Sequence, residues 1–200
     1  LLLRVSGKVG ADASTKIREI VETNPANYPV ISSNAESAIL KFTSSTPYQS
    51  PFYDARDADW AAPRLTQFFV NNLKEWGDPR IAKWATLFEG AYEGVPGGYP
   101  VNTFPVGKSA MPVALKREAL LGNIMNYSEL QFILAESSIR GFISTDAKAY
   151  YEAGVTNGIT LWGYTLPAGY LTSTDVAWDA NSNFEGKMEQ IHLQKYYALF

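Results

Sequence analysis

Few residues in this sequence are suited to covalent or metal chemistry. It has a single histidine, His192, and no cysteine, which removes disulfides, thiolate zinc sites, cysteine nucleophiles and every multi-histidine metal set. His192 stands between Ile191 and Leu193 in a helical stretch, and no serine occupies a nucleophile elbow that it could serve. A packed or half-exposed helical histidine is the expectation. The twenty Asp and Glu residues permit many carboxylate pairs, but no spacing nominates one as the acid and base of a glycoside hydrolase.

Three short motifs invite a ligand, and each has a plainer reading. DARDAD (54–59) gathers Asp54, Asp57 and Asp59, an oxygen-rich set suited to a hard cation such as calcium, but Arg56 sits among them and offsets the charge. A solvated or salt-bridged loop is expected. DANSNFEGKMEQ (179–190) matches an EF-hand loop at Asp179, Asn181 and Asn183. It then carries Phe184 where the sharp turn needs Gly, and Gln190 where a bidentate Glu closes the shell. Ser182 followed by Glu185 suits a helix capping box better. GKS (107–109) ends like a phosphate loop, but Asn102 replaces the leading glycine and Pro105 removes an N–H from the cradle. Neither a metal nor a cofactor is expected.

The signal that survives is aromatic. Phe, Trp and Tyr make up 14% of the chain, with five Trp and twelve Tyr, while charged residues reach only 18%, below the roughly 25% of an average soluble domain. Tyr48, Phe52, Tyr53 and Trp60 fall in one irregular stretch, and Phe88, Tyr92, Tyr99 and Phe104 in another. A flat ring on a loop stacks on the apolar face of a sugar while neighbouring amides and charges serve its hydroxyls, which is how small-molecule sites combine apolar lining with a few placed polar groups. Rings also pack loops onto helices, and for any single ring that is the commoner role. Tyr53, Trp60, Tyr92 and Tyr99 are the candidate ligand contacts. A net charge of -3, with basic residues scattered, gives no footprint for nucleic acid or an anionic membrane. No run approaches the ~18 apolar residues of a membrane-spanning helix.

These residues must be held by a mostly helical frame. Helical pieces are expected over 1–5 and 13–22, interrupted around Gly7 and Gly10, with Ile17, Ile20 and Val21 on one face. Residues 28–62 are mostly irregular, with AILKF (38–42) as a short strand. A helix follows over 64–76, then a Gly- and Pro-rich excursion over 87–115. Helices are expected again at about 126–140, 145–161 and 183–200, the first opened by Asn126 with Glu129 three residues on. Within 127–155, Ala135, Ala147, Tyr151 and Gly154 approximate the small-large-small spacing of a tetratricopeptide-type helical pair, and Gly158 adds a second point of close approach. One such pair cannot bury its faces alone, so further pairs are expected. The apolar ends LLLRV and QIHLQKYYALF want partners of their own, and the chain is read as a fragment of a longer protein.

Four stretches, in this order, resemble the SusD/RagB family of Bacteroidetes outer-membrane lipoproteins, in its SusD-like variant branch. They are GDPRIAKW (77–84), PGGYPVNTFPVG (96–107), YSELQFILAESSIRG (127–141) with AKAYYEAGVTNGITLWG (147–163), and MEQIHLQKYYALF (188–200). The resemblance implies a mainly α protein of tetratricopeptide-like helical pairs with long irregular loop insertions, a SusD-like α-superhelix. In these terms 1–125 carries helices plus ligand-facing insertions, 126–200 is the tetratricopeptide-like region, and N- and C-terminal parts are missing. It further implies a surface-exposed lipoprotein, anchored by a lipidated cysteine outside this chain. Such a protein binds glycans, or in some members peptides, for a SusC-like TonB-dependent transporter, and it is not an enzyme. A helical-repeat module that binds only protein is the alternative. The family's ligand contacts lie on variable loops with no shared motif, so none is carried over.

Overall fold

The computed structural model describes residues 1–100, 103, 105 and 107–200. The chain is mainly α. Among the described residues the helices are α1 (Leu2–Val9), α2 (Ala11–Arg18), α3 (Asp57–Ala61), α4 (Gln67–Glu75), α5 (Ile81–Trp84), α6 (Tyr127–Ile139), α7 (Ala147–Leu161) and α8 (Phe184–Ala198). A two-stranded sheet pairs β1 (Ala38–Ile39) with β2 (Asn123–Met125). The chain divides into two compact units. Unit 1 comprises Leu1–Ala38, Met125–Gly163 and Leu171–Phe200, and unit 2 comprises Ile39–Ile124 and Tyr164–Tyr170.

Unit 1 is built on the α6–α7 hairpin. The spacing expected of a close helical pair is realised by Gly154: a Cβ there would come within 2.8 to 3.0 Å of the Phe132 ring. Only a residue without a side chain admits that approach. Phe132 in turn meets Tyr151 edge-on at 6.1 Å, and the Ser128 hydroxyl donates to the Gly154 carbonyl at 2.5 Å. Tyr151, fully buried, donates its hydroxyl to the Val176 carbonyl at 2.8 Å. Asn126 works twice. Its side-chain oxygen caps α6 by accepting from Glu129 N–H at 2.7 Å, and its amide donates to the Ala198 carbonyl at the end of α8 at 3.0 Å. Leu3 of α1 and Ile17 of α2 join Leu134 and Ile143 in one apolar cluster, while Glu136, nearly fully buried, is met by both Arg4 and Arg140.

Several boundaries differ from expectation for local reasons. Helix α1 runs through Gly7 and breaks at Gly10, whose φ of 55° is the left-handed region that glycine tolerates. The strand expected over 38–42 shrinks to β1. The helix expected from 64 starts at Gln67, because 64–66 is extended and Thr66 caps α4 by accepting from Phe69 N–H at 3.3 Å. Ser182 does not cap α8. Asn183 does, accepting from Gly186 N–H at 2.9 Å, and the Ser182 hydroxyl instead donates to Asp179 at 3.0 Å.

Unit 2 combines a small helical core with crossed extended segments. Phe69, Val70 and Leu73 are the buried side of α4, with Trp84 against Phe69 at 5.9 Å. The turn GDPR is a buried polar knot: Asp78 accepts from Arg80 backbone N–H and Nε, both at 2.9 Å, from Arg80 Nη2 at 2.6 Å, and from the Tyr170 hydroxyl at 2.6 Å. Burial, reinforced by the Asp78 charge, pushes the Tyr170 hydroxyl far above the ordinary tyrosine range, so it stays a donor. Arg80 also lies over the Trp84 ring at 4.9 Å. Three distant segments meet beside α4. Leu65 N–H donates to Ser109 O at 2.9 Å, Val95 N–H to Leu65 O at 2.8 Å, Gln67 N–H to Val95 O at 2.7 Å and Ser109 N–H to Glu93 O at 2.8 Å.

Candidate ligand-binding site

This crossing of 64–67, 93–95 and 108–110 forms the floor of a groove of about 380 Å³. Gly94 permits it, since a Cβ at that position would lie 2.5 Å from the Gln67 Cα and the Thr66 carbonyl oxygen. Gln67, Asn71 and Lys74 stand at i, i+4 and i+7 on α4, the face away from buried Phe69, Val70 and Leu73, and all three line the groove. Tyr92, Tyr99, Pro96 and Pro105 supply ring surface, and Glu93 and Lys108 complete the wall as an ion pair. Lys108 holds the Glu93 carboxyl below the ordinary carboxylate range, with Lys74 adding a weaker pull, so Glu93 is ionised at neutral pH. Tyr99 is 44% exposed, while Tyr92 is half-buried. Rings, amides and charges therefore line one groove, an apolar surface with a few placed polar groups.

The four candidate aromatics do not fall in one place. Tyr92 and Tyr99 share the groove. Trp60 donates its indole N–H to the Pro112 carbonyl at 3.0 Å and packs on Phe52 at 5.2 Å, and Arg117 covers the Tyr53 ring at 4.8 Å. Lys116, itself buried, donates to the Ala55 carbonyl and to Asp57, both at 2.5 Å. The segment carrying Tyr53 and Trp60 is thus pinned to 112–117, with both rings half-buried, as Tyr92 is. Phe88 lies under Lys108 at 5.8 Å. Phe104, like Asn102, lies outside the described residues. Gln67, Asn71 and Lys74 were not singled out from the sequence, although a polar i, i+4, i+7 stripe opposite an apolar one was there to be read.

The remaining motifs are engaged by contacts within the chain, and His192 is exposed rather than packed or half-exposed. Asp57 is bound by Lys116 and Asp59 by Arg56 at 2.7 and 2.8 Å, leaving no convergent cation cage in DARDAD. Asp179 accepts from Asn181 N–H at 2.8 Å and from Ser182, as a loop-closing aspartate. Lys108 of GKS faces Glu93. Among the described residues no group of three or more His, Asp or Glu is placed to hold a metal. His192 is exposed on α8, beside a polar depression of about 750 Å³ lined by Arg4, Arg140, Glu185 and Glu189. A third hollow, of about 530 Å³ in unit 1, is lined by Leu3, Ile17, Ile20, Leu130 and Ile133 among others and gives a sugar few polar partners. No described helix is long and apolar enough to cross a membrane.

A SusD-like family model, described as starch-binding and associating with the outer membrane, matches residues 1–200. A SusD homologue from Bacteroides fragilis superposes with a TM-score of 0.81 at 24% identity, covering 98% of this chain and 49% of its own. A chitin-binding SusD homologue from Flavobacterium johnsoniae gives 0.77 at 24% identity, covering 100% and 45%. A SusD homologue from Bacteroides vulgatus gives 0.76 at 25% identity, also covering 100% and 45%. The chain therefore spans about half the length of these solved relatives. No curated protein matches the sequence.

Proposed function

The chain belongs to the SusD-like family, described as starch-binding and associating with the outer membrane, and we propose that it is part of a cell-surface glycan-binding subunit that captures nutrient for a SusC-like TonB-dependent transporter. The observation that carries this reading beyond family membership is the groove where Tyr92 and Tyr99 stand against Gln67, Asn71 and Lys74. A pyranose stacked on the exposed ring of Tyr99 buries its apolar face, while the α4 amides serve its hydroxyls. The groove is open, so the far side of the sugar stays in water and release is not blocked. That suits a protein handing its ligand onward without changing it. Tyr53 and Trp60 support the loop rather than touch ligand, and a lipid anchor outside residues 1–200 holds the protein at the outer surface. Its role is binding, not catalysis.

Affinity electrophoresis of the full-length protein through gels containing starch or soluble chitin derivatives tests the site. The chitin arm is included because the Flavobacterium johnsoniae relative is described as chitin-binding. Retardation that is lost in Tyr92→Ala and Tyr99→Ala but kept in Tyr53→Ala supports the groove, and loss only in Tyr53→Ala moves the site elsewhere. Co-purification with a TonB-dependent receptor from outer membranes tests the partner, and its absence from such preparations would argue for a free-standing binder.

A further inference from the structure

The groove described above is positively charged in a chain whose net charge is -3. Its charged residues are Lys74, Glu93 and Lys108, two cations against one anion, which leaves one positive charge. Lys108 and Glu93 neutralise each other in their ion pair. Lys74 is exposed and in no ion pair among the described residues, its one carboxylate interaction being the weaker pull it exerts on Glu93. The Lys74 ammonium, only partly offset by Glu93, therefore stands on the same helix face as Gln67 and Asn71, in the groove that Tyr92 and Tyr99 also line.

That arrangement discriminates between sugars. A neutral glycan lying across the groove strips water from Lys74 and returns only hydroxyl contacts, whereas a carboxylate supplies the opposite charge as the water leaves. The lysine has a flexible stem and three donors, so it tolerates variation in where the acid is presented. Resting on the reading of this groove as the glycan site, we propose that it selects acidic glycans, with a uronate carboxylate held by Lys74 and its sugar ring stacked on Tyr92 or Tyr99. The substrate class is a uronic-acid oligosaccharide, distinct from the starch of the family description. Since Lys74 is exposed, its contribution is that of an exposed ion pair, about two- to fivefold in affinity, and it falls with added salt as the charges are screened.

The test is calorimetric titration of the full-length protein with tetragalacturonate and with its carboxyl-reduced counterpart, α-1,4-galactotetraose, at low salt and at 0.5 M NaCl. The expected result is tighter binding of tetragalacturonate at low salt, a preference that shrinks at high salt, loses about two- to fivefold in Lys74→Gln and returns in Lys74→Arg. Equal or tighter binding of the neutral tetramer, or an acidic preference untouched by Lys74→Gln, overturns the proposal while leaving the glycan-binding reading in place. Binding of neither tetramer, nor of maltoheptaose or chitohexaose run alongside, removes both.

Discussion

Arg80 is held in a buried polar knot in unit 2. Its guanidinium and backbone N–H converge on Asp78, which also accepts from Tyr170, and both ionic partners are at most 2% exposed. Breaking a buried pair by removing one member leaves an uncompensated charge, so Arg80→Ala is expected to cost about 3–5 kcal/mol in chemical denaturation. Tyr170→Phe, which removes one of several donors, should cost about 1–2 kcal/mol. GDPR was legible in the sequence as family text, but its role was not, because Tyr170 lies far along the chain. A milder acid response is expected from Glu22. Its carboxylate accepts from the Ser144 hydroxyl at 2.7 Å and from Ser144 N–H at 2.5 Å, which hold it below the ordinary carboxylate range. A depressed folded value means its contribution is complete above the ordinary carboxylate pKa and disappears as pH falls through the lowered one. Melting temperature against pH should therefore drop more gently on acidification in Glu22→Gln than in the parent.

At the scale of elements, the α6–α7 hairpin and the groove floor differ in how far sequence could reveal them. The hairpin is local: Ala135, Ala147, Tyr151 and Gly154 carry their spacing in the text, and the Phe132 ring seated over Gly154 is what that spacing encodes. Gly154→Ala is expected to lose about 1–3 kcal/mol by overpacking, since Phe132 is buried against Tyr151 and cannot swing away. The floor, by contrast, joins Leu65 to Val95 and Ser109, pairings across dozens of residues that no periodicity announces. They also explain why α4 starts at Gln67 rather than 64. Gly94→Ala puts a Cβ against backbone, not side chain. It should destabilise by at least as much as Gly154→Ala and weaken ligand binding as well, a pairing of effects that thermal shift and titration together would reveal. Preserved binding in a folded Gly94→Ala protein would separate the floor from the site.

For the whole molecule, the mainly α architecture, the three long helices at 127–139, 147–161 and 184–198 and the family were all readable from residues. The loop rings were readable as a group but not individually, because whether a tyrosine packs or faces solvent depends on partners such as Arg117 and Pro112 that arrive from elsewhere. Tyr99 is exposed, whereas Tyr92, Tyr53 and Trp60 are all half-buried. Unit 2 is proposed to hold a glycan in the groove of Tyr92 and Tyr99. Isothermal titration of the full-length protein and its Tyr99→Ala variant with malto-, chito- and galacturono-oligosaccharides tests it most directly. The expected result is saturable binding of at least one series, weakened about tenfold by Tyr99→Ala with the melting temperature unchanged. No binding to any series, or identical binding by the variant, would contradict it.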